Sequence, residues 1–327
     1  MAAAASDLFR LVRKGIDVRA VHATTRKPFR LYLCGDPALV AEMRTLLLSG
    51  HDATIPLDAA ACLETIGAAM TPPADPREAR AILFLGRPGD VAGAQLTGLR
   101  SMRVPILAIT LDERSPTTGP AAPPEPGSYA EYAVPSLTRE ALKARVFPHI
   151  VDCCKGVEIA VGRRLPALRE TVAAKLTRDA ANNALKVALA SAVVDHIPVV
   201  GLVLGAFASA GDMVAISGIQ MMLLLHIEAV YGRDPDVARM WQLLPIVGGG
   251  FGWRMLAREL SGFIPIAGIG IKGAIAYAGT IVVGEGVTFL HEHGTHMSSK
   301  EAADIYDRTK NEALKLARDF AARFTKR

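Results

Sequence analysis

The chain has 327 residues, half of them hydrophobic and 21% charged, with a mean hydropathy of +0.26. That length holds one large or two medium domains, and that much apolar side chain excludes global disorder, because burial can offset the entropy of ordering. The formal charge of +5 falls within residues 1–30, where seven Lys and Arg face Asp7 and Asp17; the rest of the chain balances to zero, so no broad basic face for nucleic acid is expected.

Four cysteines, Cys34, Cys62 and the adjacent Cys153 and Cys154, form no CxxC and no disulfide framework, which points to a reducing compartment. The first residues lack the continuous apolar core of a signal peptide, so a cytosolic-side protein is expected.

Residues 1–24 read as a basic amphipathic helix. Leu8, Leu11, Val12 and Ile16 recur at helical spacing, while Arg10, Arg13 and Lys14 lie largely on the other side. Such a helix can lie on an anionic membrane surface or dock on its own protein. From about residue 25 to 152 strand and helix signals alternate. Strands are expected at Phe29–Leu33, Ala81–Leu85, Val104–Thr110 and Glu131–Val134, and helices at Ala38–Leu48 and Arg139–Val151. Ser115–Ser128 is a Pro/Gly-rich loop standing where a further helix would be expected. This alternation predicts a small doubly wound parallel sheet, Rossmann- or flavodoxin-like.

Residues 153–327 change character, and a helical bundle with apolar, Gly-rich helices is expected. Ile197–Ile227 holds Asp212 as its single formal charge, and Phe263–Phe289 holds Lys272 and Glu285. Small residues recur four apart at Gly201, Gly205 and Ser209, and at Gly270, Ala274 and Ala278, the pattern of tightly crossing helices. Ser298-Ser299-Lys300-Glu301 has capping-box spacing and opens a charge-laced final helix. Both apolar stretches have the length of a span, but their internal charges cut them into runs more typical of core or re-entrant helices. Membrane insertion or docking is favoured over a soluble core.

No intact catalytic motif is present, so no enzyme activity, cofactor or nucleotide is expected. A phosphate-binding loop needs a glycine followed by Lys and Ser/Thr; after Gly35 those places hold Val40, Ala41 and Glu42. Gly86-Arg87-Pro88-Gly89 has the shape of a GTPase DxxG loop without its aspartate, and Thr110-Leu111-Asp112 lacks the Asn-Lys that reads guanine. The same region resembles a response-regulator receiver, with Thr110 as the switch threonine and Val134-Pro135 in place of Lys-Pro. Leu85 and Gly86 stand where its phosphoacceptor aspartate belongs. His291, His293 and His296 are weak candidates for a metal; the alternative is a polar helix end with a Gly294 C-cap. Asp212, Gln220, His226, Glu228, Arg254, Lys272 and Glu285 can line a polar path or satisfy one another inside a bundle.

The run IPVVGLVLGAFASAGDMVAISGIQMMLLLHIEAVYG resembles the YcjF-like domain of unknown function found after bacterial GTPase domains. The resemblance rests on Ile197-Pro198, Asp212, Gln220 and the close at Ile227–Gly232. The stretch from Leu243 to Thr280 is similar to its continuation in a branch of that family, at Arg254, Pro265, Lys272 and Gly273. Across residues 164–292 the resemblance implies bacterial origin, membrane association and no established activity. The expectation is a non-catalytic scaffold or partner-recruiting protein, with a pseudo-GTPase or pseudo-receiver domain, on the cytoplasmic side of the inner membrane. A GTPase-like protein with atypical motifs, and a soluble homo-oligomer pairing its apolar helices, stay open.

Overall fold

The structure, a computed structural model, describes residues 17–50, 55–67, 77–90, 98–194, 201–236 and 268–325; the side chains of 191–194, 201–214, 268–272 and 316–325 fall outside that description. The chain divides into two compact units. Of the described residues, one unit comprises those within His22–Val172 with Ala229–Arg233, and the other those within 17–21, Ala173–Glu228, 234–236 and 268–325.

The first unit is α/β. Helix α1 (Val18–Thr25), which enters this unit at His22, opens with Asp17 accepting from the amides of Arg19 and Ala20. Strands β1 (Arg30–Gly35), β2 (Leu63–Thr65), β3 (Ala79–Gly86), β4 (Ile106–Leu111) and β5 (Tyr129–Val134) form a parallel sheet in the order β2-β1-β3-β4-β5. The inner strands are buried on both faces, and their sequences read as continuous aliphatic runs for that reason. Ile82–Leu85 on β3 and Ile106–Ile109 on β4 are at most 3% exposed. Strand β5, at the edge, carries the more exposed pattern.

Sequence and structure part in two places. Strand β2 was not expected, because three residues are too few to show a period-two alternation; it is held by pairing with Leu31, Tyr32 and Leu33. The expected helix Arg139–Val151 is two helices, α3 (Arg139–Lys143) and α4 (Val146–Cys153). Pro148 explains the break: its ring clashes with the carbonyl four residues back and has no N–H to offer it, so it is accommodated only in a first turn. The Pro/Gly-rich stretch is a loop, as its sequence reads; Thr118 donates to Ala133 O (2.9 Å), and Gly119 lies against the Tyr132 ring, so the loop covers the edge strand.

The unit also contains α2 (Pro37–Leu48) and α5 (Glu158–Arg164), and it captures the Ala229–Arg233 segment. Arg163 donates to Ala229 O and Arg233 O, and the buried Arg169 guanidinium lies 5.8 Å from the Tyr231 ring centroid.

Among the described residues the second unit is helical, with α6 (Arg169–Val194) from Ala173 onward, α7 (Gly201–Val230) as far as Glu228, α8 (Gly268–His293) and α9 (Ser299–Thr325). Helix α6 turns Ala181, Leu185 and Leu189 inward at spacing four, against Ala274, Tyr277 and Ile281 of α8. On α9, Ala302 and Tyr306 pack with Ala278 and Val282. Among the described residues, Gly273–His293 of α8 is long and apolar enough to cross a membrane, with mean hydropathy 1.4, yet 78% of its apolar window is buried within the protein.

Candidate functional site

In parallel α/β sheets ligands bind beyond the carboxyl ends of the strands, where the strand order reverses. Here that point lies between β1 and β3. Gly35 has φ +108°, and a Cβ there would stand 1.9 Å from Leu85 O, so the turn into α2 admits only glycine. Asp36 follows as N-cap, its backbone N–H donating to Leu85 O (2.8 Å). Its carboxylate accepts from the amides of Ala38 (2.8 Å) and Leu39 (3.2 Å). A phosphate at a helix N-terminus needs those amides and a positive field. Pro37 contributes no N–H, and Asp36 has taken the next two while adding a negative charge.

The neighbouring strand ends close in the same way. Beyond β3, Asp90 accepts from the Arg87 amide (2.7 Å) across the Gly86–Asp90 turn. Beyond β4, Asp112 accepts from the Arg114 amide (3.1 Å) and the Ser115 hydroxyl (2.9 Å), which hold its carboxyl below the usual range. Each of the three carboxylates serves its own turn. Among the described residues no group of three His, Cys, Asp or Glu side chains is placed to hold a metal ion. The cysteines are free; burial pushes Cys34, Cys62 and Cys153 up to about 12, and Cys154 well above its ordinary value, so the thiols are protonated at neutral pH.

A buried polar pair that no sequence signal revealed lies behind β5. Tyr132 Oη and His149 Nδ1 are 2.7 Å apart, and the imidazole also hydrogen-bonds the backbone of Ala121 in the Pro/Gly-rich loop. Burial lowers the His149 pKa, so the neutral ring accepts from the tyrosine.

In the helical unit, polar contacts between described residues link α7 to α8. Gln220 Nε2 donates to Thr280 Oγ1 (3.3 Å), which donates to Ala276 O (2.8 Å). Eight residues on, Glu228 Oε1 accepts from His291 Nε2 at 2.8 Å, with the two side chains only 1% and 3% exposed. Glu228 Oε2 has no hydrogen-bond partner among the described residues. Glu285 is half-buried, and desolvation raises its pKa against the pull of Arg308. The histidine run does not converge: His291 faces Glu228, His293 stacks on Phe289 with centroids 4.1 Å apart, and His296 is exposed. Gly294, at φ +69°, ends α8 and donates to Leu290 O.

Of the small residues expected at helix crossings, Ala274 and Ala278 are fully buried at contacts with neighbouring helices. The closest approach falls elsewhere, at Gly284, where a Cβ would stand 2.2 Å from Thr177 Oγ1. Gly201, Gly205, Ser209 and Asp212 on α7, and Gly270 and Lys272 on α8, lie in helix whose side chains are outside the described set, and Arg10, Arg13, Lys14 and Arg254 lie outside the described residues altogether. In comparisons with known proteins, no family model, curated protein or solved structure matches this chain.

Proposed function

We propose that the chain is a non-catalytic, membrane-associated bacterial protein that scaffolds or recruits a partner at the cytoplasmic side of the inner membrane. In this reading the α/β unit is a doubly wound pseudo-GTPase or pseudo-receiver domain, and the helical unit is a YcjF-like bundle. The 2-1-3-4-5 strand order suits the doubly wound arrangement. The absence of activity is supported by the carboxyl edge of the sheet, where Asp36, Asp90 and Asp112 occupy the amides of their own turns.

The observation that carries the membrane reading is the direction of the helices. The contacts Gln220–Thr280 and Glu228–His291 make α7 and α8 run parallel. Both therefore begin at the same end of the unit, and those beginnings fall in the two least charged stretches of the sequence. The central part of α8 is covered by its own protein, so lipid contact belongs at that end rather than along Gly273–His293. An apolar tip that enters one leaflet needs no complete span. Fractionation tests this: the protein should sediment with membranes at low salt, and full recovery in the detergent-free soluble fraction would sink it. The N-terminal residues Arg10, Arg13 and Lys14 would add attraction to anionic lipid, and deleting residues 1–24 should then weaken salt-sensitive attachment.

A second reading, a soluble homo-oligomer in which the apolar ends pair between copies, is favoured by the self-coverage of α8. Light scattering on detergent-free protein separates the two. Calorimetry with GTP, ATP and magnesium should show no binding; micromolar affinity would restore the nucleotide-binding alternative.

A further inference from the structure

The zero balance of charge beyond residue 30 conceals an uneven distribution. From Leu314 to the end the sequence holds Lys315, Arg318, Arg323, Lys326 and Arg327 against Asp319 alone. Its last helical stretch also carries Leu316, Phe320 and Phe324 at spacing four; Lys315 and Arg318 fall on the opposite side of the helix, and Arg323 beside the apolar stripe.

Helix direction decides where this stretch lies. Ala302 and Tyr306 of α9 belong with Ala278 and Val282 of α8, whereas Ala313 belongs with Ala274 and Tyr277. As α9 advances its contacts on α8 move backward, so the two helices are antiparallel. Gly268 begins α8 six residues before Ala274, a rise of about 9 Å, and Thr325 ends α9 twelve residues beyond Ala313, about 18 Å. The final turns of α9 thus reach the beginning of α8 and continue about two turns past it. Helix α6 is likewise antiparallel to α8, with Thr177 at Gly284 and Leu189 at Gly273. The end of the unit where the apolar α7 and α8 begin is therefore the end where the basic-aromatic part of α9 terminates.

We infer that the C-terminal stretch of α9, Leu314–Thr325, is the arm that reads anionic lipid. It carries the positive charge of Lys315, Arg318 and Arg323 to the end of the unit where the apolar sequences of α7 and α8 begin. The inference rests on the membrane reading above and specifies its partner: a bilayer surface rich in acidic phospholipid. The physical basis is charge complementarity next to an apolar tip. Each Lys or Arg near an anionic leaflet strengthens partitioning by roughly fivefold, and aromatic side chains favour the headgroup boundary.

The test is flotation of the full-length protein with vesicles of phosphatidylcholine alone or with one-third phosphatidylglycerol, at low and high salt. The wild type should float with the anionic vesicles at low salt and much less with the neutral ones. The variant K315Q/R318Q/R323Q should lose binding by on the order of a hundredfold, while K315R/R318K/R323K keeps it. The variant R10Q/R13Q/K14Q leaves the α9 charges in place and should retain salt-sensitive flotation, which tests the arm even if the first variant fails to fold. Equal flotation of K315Q/R318Q/R323Q and wild type would overturn the arm and leave the membrane reading standing, as would equal flotation of the wild type on both lipids. Loss of all salt-sensitive flotation in R10Q/R13Q/K14Q would also overturn it. Failure of the wild type to float with either vesicle would sink both readings.

Discussion

The two units handle polar groups in opposite ways. In the α/β unit the core strands bury aliphatic side chains, and the carboxylates of Asp36, Asp90 and Asp112 sit on exposed turns, each satisfied within three residues along the chain. In the helical unit the polar partners are buried and remote: Gln220 and Thr280 are 60 residues apart, and Glu228 and His291 are 63 apart. A sheet satisfies its backbone between strands and packs large side chains between layers. Long apolar helices have nearly featureless faces, and a few buried polar pairs can fix which turn meets which, as single buried polar residues do in coiled coils.

The largest effect expected on this contrast comes from the α/β unit. Gly35→Ala must place a Cβ against Leu85 O at a positive φ, so it should cost about 4 kcal/mol or more, or prevent folding, in urea denaturation. A substitution tolerated within about 1 kcal/mol would mean that the turn relaxes freely. In the helical unit, His291→Ala leaves the buried Glu228 carboxylate without its partner and should cost about 3 kcal/mol. If the same loss follows from His293→Ala, whose ring is exposed, the pair is not what joins α7 to α8.

A smaller effect is expected where the α/β unit breaks its own pattern with a buried polar pair. Tyr132→Phe removes the hydroxyl that His149 accepts and should cost about 1–3 kcal/mol. The pair also has a pH signature. The folded-state pKa of His149 lies below its ordinary value of 6.5, so the unfolded chain takes up the proton first. Its contribution is therefore complete above pH 6.5 and is lost as pH falls toward the folded value. His149→Gln should flatten that part of the stability profile; an unchanged slope would place the titration elsewhere. The smallest change belongs to a local device in the helical unit. At the start of α9, Ser298 Oγ accepts from the Glu301 amide while Glu301 accepts from the Ser298 amide, and Ser298→Ala should cost about 1 kcal/mol in thermal melts.

Much of the α/β unit was legible in the sequence. Strands β1, β3, β4 and β5 and helix α2 emerge within a few residues of their expected ranges, because buried parallel strands write continuous aliphatic runs and their helices do not. Strand β2 was hidden by its length and the break at Arg145 by a helical pattern that runs through it, although Pro148 carries the signal. Of the candidate site, the departures from nucleotide-binding motifs at Val40–Glu42, Gly86–Gly89 and Thr110–Asp112 were visible in the sequence. The way Asp36 fills the α2 N-terminus was not, since a cap and a ligand site share the same turn until the donors are counted.

By itself the sequence determined what acts over a few residues: the periods that make strands and helices, the Gly35 turn, the Gly294 stop, the capping box at Ser298, and the separation of charged from apolar stretches. The tertiary structure decided what depends on separate helices packing against one another: the pairing of Glu228 with His291, the coverage of α8, and the convergence of the α7 and α8 beginnings with the end of α9. The physical reason is range. Backbone preference and capping are local energies, whereas the direction and register of packed helices are set by side chains that become neighbours only after the chain has folded.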